Sequence, residues 1–126
     1  MFRFVLAVIA AVIAVSAQAA ADWELASTAS NGMRTYIDIS TITAEDDSRN
    51  TWEKQTYVKP ERDGTSYTVN HVRYDCSNRT YTILSYIKYR ATGEIVDSYQ
   101  IPSYRLESND IAPDTVAEKL LTTVCN

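Results

Sequence analysis

Nucleophilic and general-base chemistry calls for an imidazole, and the 126-residue chain has one, His71. A lone histidine builds no His-rich metal site, and triad partners would have to converge on it from elsewhere in the fold. The motifs that announce such convergence are missing. No G-x-S-x-G, H-E-x-x-H or C-x-x-C surrounds a candidate, and no glycine-rich phosphate loop exists in a chain with three glycines. His71 therefore reads as a surface or half-buried strand residue, and no catalytic residue is assigned. Glu45-Asp46-Asp47 is a compact acidic run with carboxylates suited to Ca²⁺. It lacks the alternating ligands and central glycine of a calcium loop, so it reads as a solvated turn. Neither a metal site nor a cofactor site is expected, and the chain does not read as an enzyme. Asn78-Arg79-Thr80 fits an N-glycosylation sequon, which has meaning only in a pathway that glycosylates.

The cysteines are the second chemical resource, and the N-terminus decides what they do. Met1-Phe2-Arg3 carries a positive charge, Phe4 to Val15 is an apolar run, and Ala17-Gln18-Ala19 and Ala19-Ala20-Ala21 both fit an A-x-A cut. That pattern is a secretory signal peptide over residues 1–21, too short for a membrane anchor, with the mature domain over 22–126. The Ala-rich leader has a bacterial character, which discounts the sequon. No cysteine lies near the cut, so no lipid anchor is expected. Cys76 and Cys125 both fall in the exported part and are expected to pair. Closing a loop of this length contributes about 4 kcal/mol on the loop-entropy account.

Loss of Arg3 with the leader leaves 11 basic residues against 16 acidic ones, a formal charge of −5. That balance excludes the electrostatic footprint of a nucleic-acid binder and disfavours anionic lipid.

Six alternating runs position these residues: about Asp22–Ser27, Arg34–Ile39, Asn50–Val58, Ser66–Cys76, Thr80–Arg90 and Glu94–Ile101. Turn signals separate them, among them Asn31-Gly32, Arg62-Asp63-Gly64, Ser77-Asn78 and Thr92-Gly93. Such short connections predict antiparallel neighbours. The period then changes. Val116, Ala117, Leu120, Leu121, Val124 and Cys125 fall on one half of a helix, with Pro113 expected in its first turn and Asp114 near its positive end. The fold class is α+β: an antiparallel sheet of about six strands with a C-terminal amphipathic helix.

A Cys76–Cys125 bond would tie that helix to one face of the sheet. Parity then puts Tyr74, Val72, Asn70 and Thr68 on the covered face, and on the next strand the more apolar set, Tyr81, Ile83, Ser85, Ile87 and Tyr89, is assigned to it. The opposite face would show Tyr67, His71 and Arg73 beside Tyr86, Lys88 and Arg90. A single bulge near Asp75 would invert the first of these assignments. Tyr67, Arg73, Tyr86, Lys88 and Arg90 are the candidate partner-binding residues, a basic-aromatic surface suited to an acidic protein segment or an anionic glycan. The same face is open to a second copy, so a homodimer stays among the outcomes.

Trp23, Tyr36-Ile37-Asp38 with Ser40 and Ile42, and Trp52 resemble the opening of a known family. Asp75-Cys76 with Arg79 resembles its central cysteine block, and Tyr89-x-x-x-Gly93-x-x-Val96-x-Ser98 its hairpin. Pro113-x-Thr115-x-x-Glu118 leading to Val124-Cys125 resembles its closing helix. The chain is thus similar to the surface-adhesin protein E family of exported Gram-negative envelope proteins. The resemblance implies a curved antiparallel sheet with the helix tethered by a disulfide to its concave side. It also implies protein–protein binding in the envelope, with host extracellular-matrix proteins such as vitronectin and laminin, and plasminogen, as partners. The founding adhesin is lipid-anchored and this chain offers no cysteine for that, so the expected location is the periplasm, the cell surface or the medium. The alternative function is a periplasmic inhibitor of an envelope-directed hydrolase such as lysozyme.

Overall fold

The computed structural model describes residues 21–126, so the leader expected over residues 1–21 lies outside them but for Ala21. The strands are β1 (Trp23–Thr28), β2 (Arg34–Asp38), β3 (Thr43–Glu45), β4 (Ser48–Thr56), β5 (Tyr67–Asp75), β6 (Thr80–Tyr89), β7 (Ile95–Gln100) and β8 (Asn109–Asp110). One helix, α1 (Val116–Cys125), follows them. They form one antiparallel sheet in the order β1-β2-β4-β5-β6-β7, with β3 added beside β4 and β8 beside β6. The six expected strands are all present, and β3 and β8 are additional.

Local chemistry explains the turns. Asp46 and Asp47 close the β3–β4 hairpin, Asp46 taking a positive φ of 51°, a conformation that aspartate tolerates. Between β5 and β6, Asp75 accepts hydrogen bonds from the Asn78 backbone and side chain and from Ser77. These bonds hold its carboxyl below the usual range. Gly64 has φ +90°, and a Cβ there would collide with the Arg90 guanidinium that lies across it.

The helix begins later than its proline suggests. Thr115 is the cap, its hydroxyl accepting from the Glu118 N–H at 3.3 Å, while Glu118 accepts from the Asp114 N–H. Pro113 precedes the cap and Asp114 adopts a left-handed φ of 59°, so neither belongs to the first turn.

Leu120, Leu121 and Val124 of α1 are buried against Ile37, Val72, Tyr74 and Ile111, which together make the core. Cys76 and Cys125 are bonded, with Cα atoms 5.8 Å apart, so the disulfide joins the end of β5 to the end of the helix. Arg79 and Glu118 add an exposed ion pair at 2.9 Å between the β5–β6 turn and the helix.

One face assignment needs correction. β5 behaves as expected, with Val72 and Tyr74 each 2% exposed beneath the helix. Along β6 the register jumps: Val72 faces Ile83 but His71 faces Ser85, so Leu84 is an extra residue. The bulge lies there rather than near Asp75 and reverses the second half of β6. Tyr86 and Lys88 consequently face Asn70 and Thr68 on the helix side, while Ser85, Ile87 and Tyr89 face the open side.

Candidate functional site

The face opposite the helix is built from alternate residues of the strands, β1 through β7. Registers carry Asn50, Trp52, Lys54 and Thr56 of β4 across to Arg73, His71, Val69 and Tyr67 of β5. Tyr36 of β2 stands beside Lys54, and Leu25 of β1 beside Tyr36. Ser85, Ile87 and Tyr89 of β6 complete the surface.

Aromatic rings stand on this face in cross-strand pairs. Trp52 and His71 stack with centroids 4.6 Å apart and planes 12° from parallel, and Tyr67 and Tyr89 stack at 4.8 Å and 13°. The Lys54 ammonium lies 4.8 Å from the Trp23 ring centroid and 5.3 Å from that of Tyr36, both within cation–π range. Between the Trp23–Lys54 side and the Tyr67–Tyr89 stack runs a groove of about 410 Å³, lined as well by Thr56 and Val69. Beyond the Trp52–His71 pair lies a second hollow of about 340 Å³, lined by His71, Leu84, Ser85, Gln100, Ile101, Ser103 and Leu106.

The electrostatics of this face run against the charge of the chain. Lys54, Arg73 and Arg34 stand on it, and the ion pairs among the described residues, Arg79–Glu118 and Arg90–Glu94, involve none of them. Its carboxylates, Glu45, Asp38 and Asp75, stand at strand ends, and Glu45 lies in the exposed β3–β4 hairpin. Asp38 is consumed by the Asp22 and Ser40 N–H groups and the Ser40 hydroxyl, and Asp75 by its turn. Burial opposes ionisation of Asp38, but those hydrogen bonds prevail and hold its carboxyl below the usual range.

Burial lowers the His71 pKa, which keeps the imidazole neutral at pH 7. Its neighbours are the Trp52 ring and Ser85, an arrangement suited to packing and contact rather than to proton transfer. Among the described residues no group of three or more His, Cys, Asp or Glu side chains converges to hold a metal ion.

The five residues read as one contact surface are divided by the Leu84 bulge. Tyr67 and Arg73 stand on the open face. Tyr86 and Lys88 stand on the helix side, where Lys88 caps the Tyr86 ring at 5.7 Å and the Tyr86 hydroxyl reaches Asp97 at 3.4 Å. Arg90 lies in the β6–β7 hairpin, 4.0 Å from Glu94. Sequence reasoning missed Trp23, Lys54 and Tyr89 as members of one groove. The alternation Trp52-x-Lys54-x-Thr56 carried a signal, since a tryptophan, a lysine and a threonine share one side of a strand.

The helix side holds a buried titratable pair, Glu53 and Tyr74. Glu53 of β4 is 4% exposed and accepts a hydrogen bond from the Tyr74 hydroxyl. Burial pushes its carboxyl up to about 7, against the lowering effect of that bond, and Tyr74 is raised by burial and by the carboxylate beside it.

The chain is similar to solved structures of Haemophilus influenzae protein E. Against the selenomethionine form the TM-score is 0.58 at 15% identity, covering 86% of this chain and 88% of that one. Against crystal form II it is 0.53 at 16% identity, covering 72% and 79%. No curated protein matches the chain. Among the described residues no helix is long and apolar enough to cross a membrane. The family described as surface-adhesin protein E matches residues 23–126, from the first residue of β1 to the residue after the helix, and the chain belongs to that family.

Proposed function

We propose that the protein is exported to the envelope of a Gram-negative bacterium, loses residues 1–21 on the way, and acts by binding host extracellular-matrix protein. The observation that carries this reading is the match to a surface-adhesin family over the whole folded domain. The open face supports it. A protein with a catalytic task buries and aligns its titratable groups in a cleft, whereas this one displays paired aromatic rings and partnerless cations on a sheet surface. Tyr67 and Arg73 belong to this contact surface; Tyr86, Lys88 and Arg90 lie away from it.

The test is capture of the purified, disulfide-bonded mature domain on immobilised matrix proteins. Wild type should bind, and Arg73→Glu with Tyr67→Ala should weaken binding about tenfold or more with an unchanged circular dichroism spectrum. Failure of wild type to bind any matrix protein, with protection of cell-wall material from lysozyme instead, would replace this reading with that of a hydrolase inhibitor.

A further inference from the structure

The open face has a chemistry of its own, and from it we infer that the groove between Trp23 and the Tyr67–Tyr89 stack binds an acidic polysaccharide chain. This deepens the adhesin reading by naming a ligand class for the same face, and it rests on that reading only in placing the face outside the cell.

Three observations converge. The groove walls are aromatic and its floor is Val69, so an occupant must present flat apolar surface to them. Its one cation, Lys54, is held over two rings and has no carboxylate partner, so the occupant must also carry an anion. Sugar rings bearing carboxylate or sulfate join both properties in a single unit, the C–H face against the rings and the acid on the ammonium.

The third observation is the track. Trp52 and His71 stand two residues along their strands from Lys54 and Val69, about 7 Å further on, and the second hollow opens beside them. Ser85, Gln100 and Ser103 there offer hydroxyl and amide groups rather than charges. Such a surface suits a chain with many hydroxyls.

Other occupants fit less well. β2, β4, β5 and β6 are each hydrogen-bonded to neighbours on both sides, so an extended peptide could join the sheet only at its outer strands, β1 and β7, and not across the middle of the groove where Lys54 and Val69 stand. A second copy would bring together two faces that each carry Lys54, Arg73 and Arg34 without ion-pair partners, so like charges would be gathered in one interface.

The experiment titrates the disulfide-bonded mature domain with a heparin-derived octasaccharide, following the fluorescence of Trp23 and Trp52. Neutral maltohexaose and poly-glutamate serve as the comparison probes. The expected result is saturable binding to the acidic glycan that weakens about tenfold in Lys54→Gln and again as salt is raised from low to physiological strength. Tyr67→Ala should weaken it too, and both variants should keep the wild-type circular dichroism spectrum. Should either lose that spectrum, the same contact is tested in the wild-type protein, where bound octasaccharide should protect Lys54 from acetylation. No binding, binding indifferent to Lys54, an unprotected Lys54, or equal binding of maltohexaose would overturn the proposal. Equal binding of poly-glutamate would assign the face to acidic polypeptide. Each of these results leaves the adhesin reading standing, because that reading is tested on matrix proteins and on intact cells.

Discussion

Replacing Glu53 with glutamine should remove the loss of stability that this buried carboxyl causes as pH rises from 5 to 8. The carboxyl sits between β4 and the helix, and burial raises it from 4.5 to about 7. In the unfolded chain it ionises near 4.5, so between those values the folded state holds a proton that the unfolded state has lost. Stability from this group is complete below pH 4.5 and is lost as pH rises through 7. The displacement corresponds to about 3 kcal/mol, a large part of the stability of a domain this small. His71 acts in the opposite sense, since burial lowers its pKa and its contribution is lost as pH falls. It is common to both proteins and cancels in the difference. Asp38, Asp63 and Asp75 are all lowered and titrate below this window. Glutamine keeps the size of the side chain and an oxygen to accept from Tyr74. The assay is urea unfolding of both proteins at pH 5 and pH 8, disulfide intact. The stability advantage of wild type over Glu53→Gln should fall by about 2 to 3 kcal/mol from pH 5 to pH 8, the rest of the displacement being lost below pH 5. A difference that is constant, or that grows with pH, would refute the reasoning.

The remaining predictions concern the helix and its tether. Changing Cys76 and Cys125 together to serine should cost about 4 kcal/mol, read from the urea midpoint, and the native exported protein should show no free thiol on titration. Thr115→Ala should cost about 1 kcal/mol and speed amide exchange in the first turn of α1, because the Glu118 N–H loses its acceptor. Leu120→Ala, which empties the centre of the helix–sheet contact, should cost about 3 kcal/mol in the same assay.

Much of this fold was legible in the sequence, for identifiable reasons. The six long strands alternate strongly and are separated by turns with glycine, asparagine or aspartate, and the helix carries its apolar residues on one side. β3 and β8 were not, since two or three residues carry no period. The Leu84 bulge was hidden because both parities of β6 are mixed: Ile83 and Ile87 on one, Leu84 and Tyr86 on the other. On β4 hydrophobicity points the wrong way. Thr51 and Glu53 face the helix almost wholly buried, while Trp52 faces the open side, so a simple apolar-inward rule would reverse the strand. The groove shares its lining among β1, β4, β5 and β6, and only the registers bring those residues together. The candidate site therefore depended on long-range pairing, which local pattern does not encode.

If this domain meets its ligand outside the cell, an antibody against it must reach it on intact bacteria. With a periplasmic protein as the control for envelope integrity, the mature domain should be labelled on unbroken cells, or found in the medium, while the control stays dark. Labelling that appears only after the outer membrane is opened would contradict a meeting outside the cell.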